Sequence, residues 1–474
     1  MRHQRIARWG VVAAGLLLIA SACSSNRAGD DPTGTAGTAG GTTAPADTGL
    51  PTDTFGDLAT PCGAGDASGA TEQGVTDASI AIGYGDDKGF TGSPGLNEEL
   101  GDAMDAMIEW CNSLGGINGR KIVGHRYDAA LLNSAQVIKE ACAQDFMLVG
   151  EGFAGDENME ADRIACKLVS VPGFQLSPNA AMGPMQYMGL PFPVDRFNPA
   201  TLELALQTYP EFAQGYDWIS HDSPFVQLAQ GKLTSAIASL GGKAGDCGVE
   251  IKSAGGDNYR ALVQKYKECG VTALWDNATP TPPGYALLDA MKVEGFKPTI
   301  MTETTWYLDQ VTEANSDGLT EGINVTMQFQ PFENADLVPA VADYLSVVNA
   351  TGGKIGTLGM QATSSFLLWA TAAKECGADL TRQCMVDHLS KVTEWTGGGL
   401  HAPSSPGGNL PPSCGLIMKV EGDHYVQVAP EERGKFYCAD GGPAETDPAT
   451  WGIEINADRV ATTYLTDDII TPSA

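Results

Sequence analysis

Basic residues are scarce in this chain: 28 Lys and Arg stand against 58 Asp and Glu, a formal charge of −30 over 474 residues. A surface so short of cations cannot neutralise a phosphate backbone, so nucleic acid is excluded as a partner. Histidine is also sparse, with six residues scattered along the chain, and no pair of cysteines has the CxxC spacing. A zinc site is therefore not expected, and no metal or cofactor is called for. The patterns GxSxG, SxxK and HExxH are all missing, which removes the common signatures of exported hydrolases. No catalytic residue is assigned. Apolar runs long enough to span a bilayer are lacking too, and the only candidate is the stretch Val11 to Ala22, shorter than the ~20 residues a spanning helix needs.

That short run follows Arg2, Arg5 and Arg8, and small residues close it before Cys23. Basic start, short apolar core and small residues before a cut describe a secretory signal over residues 1–22. Ile19-Ala-Ser-Ala-Cys23 resembles a bacterial lipobox, in which Cys23 is lipidated and becomes the new N-terminus. It departs from the usual box in having Ala20 where Leu is common. Plain secretion and an uncleaved anchor are the alternatives. The expected location is the extracytoplasmic face of a bacterial membrane. Residues 23–60, with the run Thr33–Thr43 of Thr, Gly and Ala, are read as a flexible tether.

Eleven cysteines leave ten once Cys23 carries lipid, enough for five disulfides in an oxidising compartment. Proximity in sequence pairs Cys111 with Cys142, Cys247 with Cys269, Cys376 with Cys384 and Cys414 with Cys438. Cys62 and Cys166 are left to each other. Connectivity is not fixed by sequence, so these are expectations.

From about Val75 the chain alternates strand and helix. Ser79–Gly83 is a strand, and Ser93-Pro94 offers an N-cap and first-turn proline for a helix ending at Gly115-Gly116. Strands follow at 121–127, 146–150 and 168–172, with helices at 134–143 and 157–167. The pattern restarts at Tyr216 with strands at 216–220, 248–252, 271–275, 298–301 and 322–328. Helices lie between them at 224–240, 259–269 and 284–294, and a long buried helix is expected over 360–376. Cys414–Val428 reads as a hairpin around Glu421-Gly-Asp. This is an α/β fold of two doubly wound parallel-sheet lobes. Gly83-Tyr-Gly85-Asp-Asp-Lys-Gly89 has GxGxxxG spacing and an acidic pair that would repel a pyrophosphate, so a dinucleotide loop is set aside.

Ile80-Ala-Ile-Gly and Trp110-Cys-Asn-Ser-Leu-Gly-Gly-Ile-Asn-Gly-Arg-Lys-Ile resemble the start of a type I periplasmic binding protein. The family is the leucine/isoleucine/valine-binding, receptor ligand-binding one. Phe146–Gly150, Leu176–Ala181, Ile219–Pro224 and Gly318–Thr326 fit it as well. The resemblance implies a lipid-anchored solute receptor of an ABC importer, its permease as partner, and a small polar ligand held between the lobes, with a branched-chain amino acid as first guess. A sensory receptor of the same fold is the alternative, and an exported hydrolase the third reading. It also implies three crossovers, placed near Arg196, Gly322 and His401. Lobe I is then 61–196 with 322–401, lobe II 197–321 with 402–430, and 431–474 an extension.

Loops at the carboxyl ends of strands are where such sheets bind ligands. Ligand-binding candidates in lobe I are Tyr84, Asp86, Glu151, Phe153, Ala154, Ser177 and Asn179. In lobe II they are Phe225, Asp276, Asn277, Glu303, Thr304 and Trp306. The family holds a ligand carboxylate with hydroxyls and backbone N–H groups of two lobe-I loops. Here Ala154 and Ala181 stand where hydroxyls are expected. Glu303 or Thr304 matches the position that faces a ligand ammonium. An acidic cleft would suit a cationic or polyhydroxyl ligand.

Overall fold

The computed structural model describes residues 49–473. Cys23, the signal segment and most of the tether lie outside those residues. Order begins earlier than the composition suggests. Thr54–Phe55 and Leu58–Ala59 form a small hairpin that turns at Gly56, whose positive φ of 57° and close approach to the Gly398 carbonyl leave no room for a side chain. Phe55 is fully buried against Trp110, ring centroids 5.7 Å apart, and the Trp110 indole donates to the Pro51 carbonyl at 2.7 Å. The expected tether of 23–60 therefore ends before this hairpin, which is held by that aromatic pair, by Gly56 N–H donating to Asp343 at 2.7 Å and by Asp57 N–H donating to Gly398 O at 3.0 Å.

Lobe I is a four-stranded parallel sheet in the order Lys121–Asp128, Ser79–Asp86, Met147–Val149, Ser170–Val171. Helix Glu98–Leu114 packs on Thr357–Cys376, a helix buried on nearly every side. The N-terminal cap differs from expectation. Residues 87–96 form turns closed by Gly95 N–H to Lys88 O and Leu96 N–H to Ser93 O, and Asn97 is left-handed at φ 56°. The helix can start only at Glu98, and Ser93-Pro94 belongs to the loop.

Lobe II has Glu250–Ile251 beside Ser220–His221 in one short parallel pair. After a single-residue break at Ile219 the sheet continues through Asp217–Trp218, Ala273–Asp276, Thr299–Thr302 and Asn324–Met327, all parallel. The hairpin Cys414–Glu421 and His424–Ala429 completes it antiparallel. Asn324–Met327 pairs with Thr299–Thr302, so the chain leaves lobe II after Met327 rather than near Gly322. A bridge between Phe329 and His401 ties two of the connecting segments together.

Five disulfides are present. Cys247–Cys269, Cys376–Cys384 and Cys414–Cys438 are as expected, whereas the other four cysteines pair as Cys62–Cys111 and Cys142–Cys166. The reason is topological. From Ser79–Asp86 the chain crosses to one neighbour and then back past itself to the other, and right-handed crossovers in opposite directions place their helices on opposite faces. Cys111 and Cys142 are on those two helices and cannot meet. Cys111 instead lies under the N-terminal segment, where Gly63 N–H donates to Gly116 O. Cys142 lies against Cys166, which caps the end of the adjoining helix Glu157–Ala165.

The C-terminal extension crosses the molecule. It leaves lobe II at Cys438, and Ala444–Glu445 pairs with Arg196–Phe197. Lys232 of helix Pro224–Ser239 sits 5.7 Å over the Trp451 ring. Arg459 then grips both carboxylate oxygens of Asp195 at 2.7 Å, Tyr464 donates to Glu157, and Ser473 donates to Asp387 on lobe I. Among the described residues no helix is long and apolar enough to cross a membrane.

Candidate functional site

The candidate loops emerge from the carboxyl ends of the strands, and their conformations are set by the chain's own carboxylates. Asp87, fully buried, accepts from Leu131 N–H and Ala154 N–H, both at 2.6 Å. One side chain thus joins three lobe-I loops. Asp156 does the same for the next loop, accepting from Leu176 N–H at 2.6 Å and Ser177 N–H at 3.0 Å. Burial raises its carboxyl to about 6. Ser177 caps the short helix Pro178–Ala181 by accepting from Ala180 N–H. Asp87 was not among the candidate residues. Its signal was available as an acid directly following a strand.

Glu151 is 5 % exposed. One of its oxygens accepts from the Ser170 hydroxyl, and the other, Oε2, is buried without a partner. Burial lifts this carboxyl to about 7. It borders a void of about 10 Å³, room for one water-sized group, with Phe153, Asp156, Phe174, Gln175 and Gln186. Phe153 packs into the lobe-I core with Met159 and Leu148. Asn179 donates to Glu157 Oε1 at 2.9 Å, while its own Oδ1 is buried and unpaired. Tyr84 and Asp86 turn to a different task. The Tyr84 hydroxyl donates to Asp105, and Asp86 pairs with Arg126 at 2.5 Å, a guanidinium that Asp102 and Asp105 also hold.

In lobe II, Asp276 accepts from Ala278 N–H at 2.9 Å and pairs with His221 Nε2 at 3.2 Å. Asn277 donates to Val226 O at 3.0 Å, again leaving a buried Oδ1 without a partner. Glu303 accepts from the Trp275 indole at 2.9 Å and the Thr326 hydroxyl at 3.0 Å. Burial raises both carboxyls. Thr304 donates to Thr326 O, and the buried Trp306 donates to Ala278 O, both at 2.8 Å. Phe225 lies in the first turn of helix Pro224–Ser239, and its side chain lies outside the described set. A surface hollow of about 650 Å³ in this lobe, lined by 214–217, 243–247 and 269–272, is at the amino ends of the strands, away from these loops.

One Ser–His pair invites a hydrolytic reading. Ser364 Oγ is 2.8 Å from His401 Nε2, but the other ring nitrogen faces the Ala402 carbonyl, and the Trp395 indole also donates to Ser364. The pair is buried beside the crossovers, at 0 % and 1 % exposure. No substrate reaches it, and no acid orients the ring as a triad requires. It is a packing device.

Residues 218–424 match the periplasmic binding protein family. No curated protein matches the sequence. Among solved structures, a fatty acid ABC transporter substrate-binding protein from Thermomonospora curvata is 16 % identical, with TM-score 0.60 over 77 % of this chain and 95 % of that one. The branched-chain amino acid binding protein LivJ from Streptococcus pneumoniae, in complex with isoleucine, is 14 % identical, with TM-score 0.58 over 74 % and 100 %. A solute binding protein from Rhodopseudomonas palustris BisB5, in complex with 3,4-dihydroxy benzoic acid, is 14 % identical, with TM-score 0.58 over 78 % and 99 %. Residues 218–424 thus match the periplasmic binding protein family, and the chain shares the two-lobed α/β fold of these solved structures.

Proposed function

We propose that this chain is an extracytoplasmic solute-binding protein that takes a small polar molecule between its lobes and delivers it to an ABC permease. The observation that carries this reading is the architecture: two α/β lobes joined by crossing segments, each ending its parallel strands in loops rich in polar groups. Hinge closure over ligand is the established use of such an arrangement. Lipidation of Cys23 would hold the receptor beside its permease, and Cys23→Ala is expected to move the protein from the membrane to the soluble fraction. Retention of that variant in the membrane would rule the lipid anchor out.

The ligand test is release. Mild denaturation of the purified protein followed by mass spectrometry of the supernatant should yield a stoichiometric small molecule, and saturable, non-consuming rebinding should follow. Turnover of the added solute would contradict the reading. A branched-chain amino acid remains the expectation from resemblance. The lobe-I loops argue against it, because Ala154 N–H and Ser177 N–H, placed to hold a carboxylate, are taken by Asp87 and Asp156.

A further inference from the structure

The C-terminal extension runs from one lobe to the other. It leaves lobe II at Cys438, which is bonded to Cys414 of the lobe-II hairpin. Ala444–Glu445 then adds a strand to Arg196–Phe197, and the Thr446 N–H and hydroxyl donate to the Asp195 and Val194 carbonyls. Arg459 grips the same segment through Asp195 and also donates to the carbonyls of Gly408 and Asn409. Two ties reach the candidate loop Ser177–Met182. Ala461 N–H donates to Met182 O at 2.7 Å, and the Tyr464 hydroxyl shares Glu157 Oε1 with Asn179. The last residues are fastened to lobe I, where Gln383 donates to Thr471 O and Asp387 accepts from Ser473. These attachments are backbone pairing and a bidentate Arg–carboxylate, the strong kinds. Contact with lobe II is of a different sort. Helix Pro224–Ser239 meets the extension where Lys232 lies 5.7 Å over the Trp451 ring and donates to Pro193 O at 2.7 Å.

Resting on the solute-binding reading above, we propose that the extension is a breakable fastening between the lobes, with Lys232 on Trp451 as its latch, and that the lobes part only when Lys232 leaves the ring. Trp451 belongs with lobe I, because it packs with Ile453 and Ile455 on Met182, Val194 and Ala461. Lys232 belongs with lobe II, on a helix that begins at the candidate loop around Phe225. Rotation of one lobe against the other about residues 193–197 therefore separates the two. A cation over a ring is a weak tie when water reaches it, so the latch opens without unfolding either lobe. Slack for that movement lies just after Cys438, where Gly441 has open space around it. The same extension holds Met182 and Glu157, so lobe position and the candidate loop are joined through one segment.

The test is the interlobe distance distribution of the full mature chain without added solute. It is read by pulsed electron spin resonance between labels on bio-orthogonal side chains at Leu132 and Thr279, exposed residues in loops at the strand ends of lobe I and lobe II. The unsubstituted chain should give a dominant shorter distance and a minor longer one. Lys232→Met, which keeps an apolar stem and removes the charge, should raise the longer population at least threefold, and amide exchange over residues 448–455 should rise with it. Lys232→Arg, which keeps a cation over the ring, should retain the original distribution. Should Lys232→Met fail to fold, Trp451→Leu removes the same contact from the other side and carries the same expectation. Unchanged distances and unchanged exchange in the folded variant would overturn the latch, and two distances in the unsubstituted chain would still leave the solute-binding function standing. A single distance in every chain, together with no small molecule released from the native protein, would overturn both.

Discussion

The two lobes share a topology but are held together by different forces. Lobe I is braced by charge, part of it buried: a partly exposed Arg126 among Asp86, Asp102 and Asp105, a buried Arg163 against Glu160, and a buried Arg382 donating to the carbonyls of Asp145, Phe146 and Cys166. Lobe II relies on rings. Phe212, Tyr216, Trp218 and Trp275 meet one another at centroid distances of 5.5–6.3 Å, mostly edge to face. Most of its ion pairs, such as Lys252–Asp257 and Lys292–Asp317, are at the surface, where they add little. The contrast teaches that one fold tolerates two internal chemistries. A ring cluster needs only shape, whereas a buried charge fails as soon as its partner goes.

The sharpest test is to remove one member from each cluster. Trp275→Ala should cost about 3–5 kcal/mol through lost burial and the cavity it leaves, read by denaturant unfolding. Arg163→Met should cost a similar amount, about 3–5 kcal/mol, by stranding Glu160. The two differ in repair. Adding Glu160→Met should restore most of the stability lost in lobe I, while no second substitution is expected to restore lobe II. An unrepaired double variant would show that Arg163 acts by packing and would erase the distinction.

Next in size is the covalent staple of lobe I. Replacing Cys62 and Cys111 by Ala opens a loop of 49 residues and should cost about 2–4 kcal/mol. The effect should appear as earlier proteolysis of the N-terminal hairpin. If the hairpin stays protected, the Phe55–Trp110 pair and the hydrogen bonds to Asp343 and Gly398 hold it without the disulfide.

The connecting region responds to acid. Burial lowers His401 to about 4, against 6.5 for a free imidazole. The unfolded chain therefore binds a proton first as pH falls. The stability due to the neutral ring is complete above pH 6.5 and is lost progressively down to about pH 4, by up to roughly 3 kcal/mol. His401→Gln should flatten that slope. Glu151 works in the opposite sense and by a similar amount. Its raised carboxyl favours the folded state at low pH, and that contribution fades as pH rises from 4.5 to about 7. Glu151→Gln should remove the fade, seen as a smaller loss of melting temperature between pH 5 and 7.

Strand and helix positions were legible in the sequence because each lobe is built from short, well-punctuated apolar runs. Ser79–Asp86, Ala273–Asp276 and Thr299–Thr302 all have turn residues at their ends. What sequence distance could not show was which face of the sheet a helix takes, and that error cost two disulfides. The hairpin at Phe55 was hidden because composition averages away a single aromatic residue in a polar stretch. Candidate loops followed from strand ends, yet the partners of Asp87, Asp156 and Glu151 depend on loop-to-loop contacts that no local pattern encodes. Acidity in those loops read as a feature for a ligand. Several of the same carboxylates tie the loops to one another.

The hairpin has a mechanical consequence. Phe55 is seated on Trp110, and Ser473 is fastened to Asp387, so the described chain both enters and ends on lobe I. Any load applied through residue 49 is borne by that lobe, as by the fixed jaw of a vice. Lobe II carries neither end. It is coupled to that jaw through the connecting segments and through the extension, where Lys232 lies over Trp451.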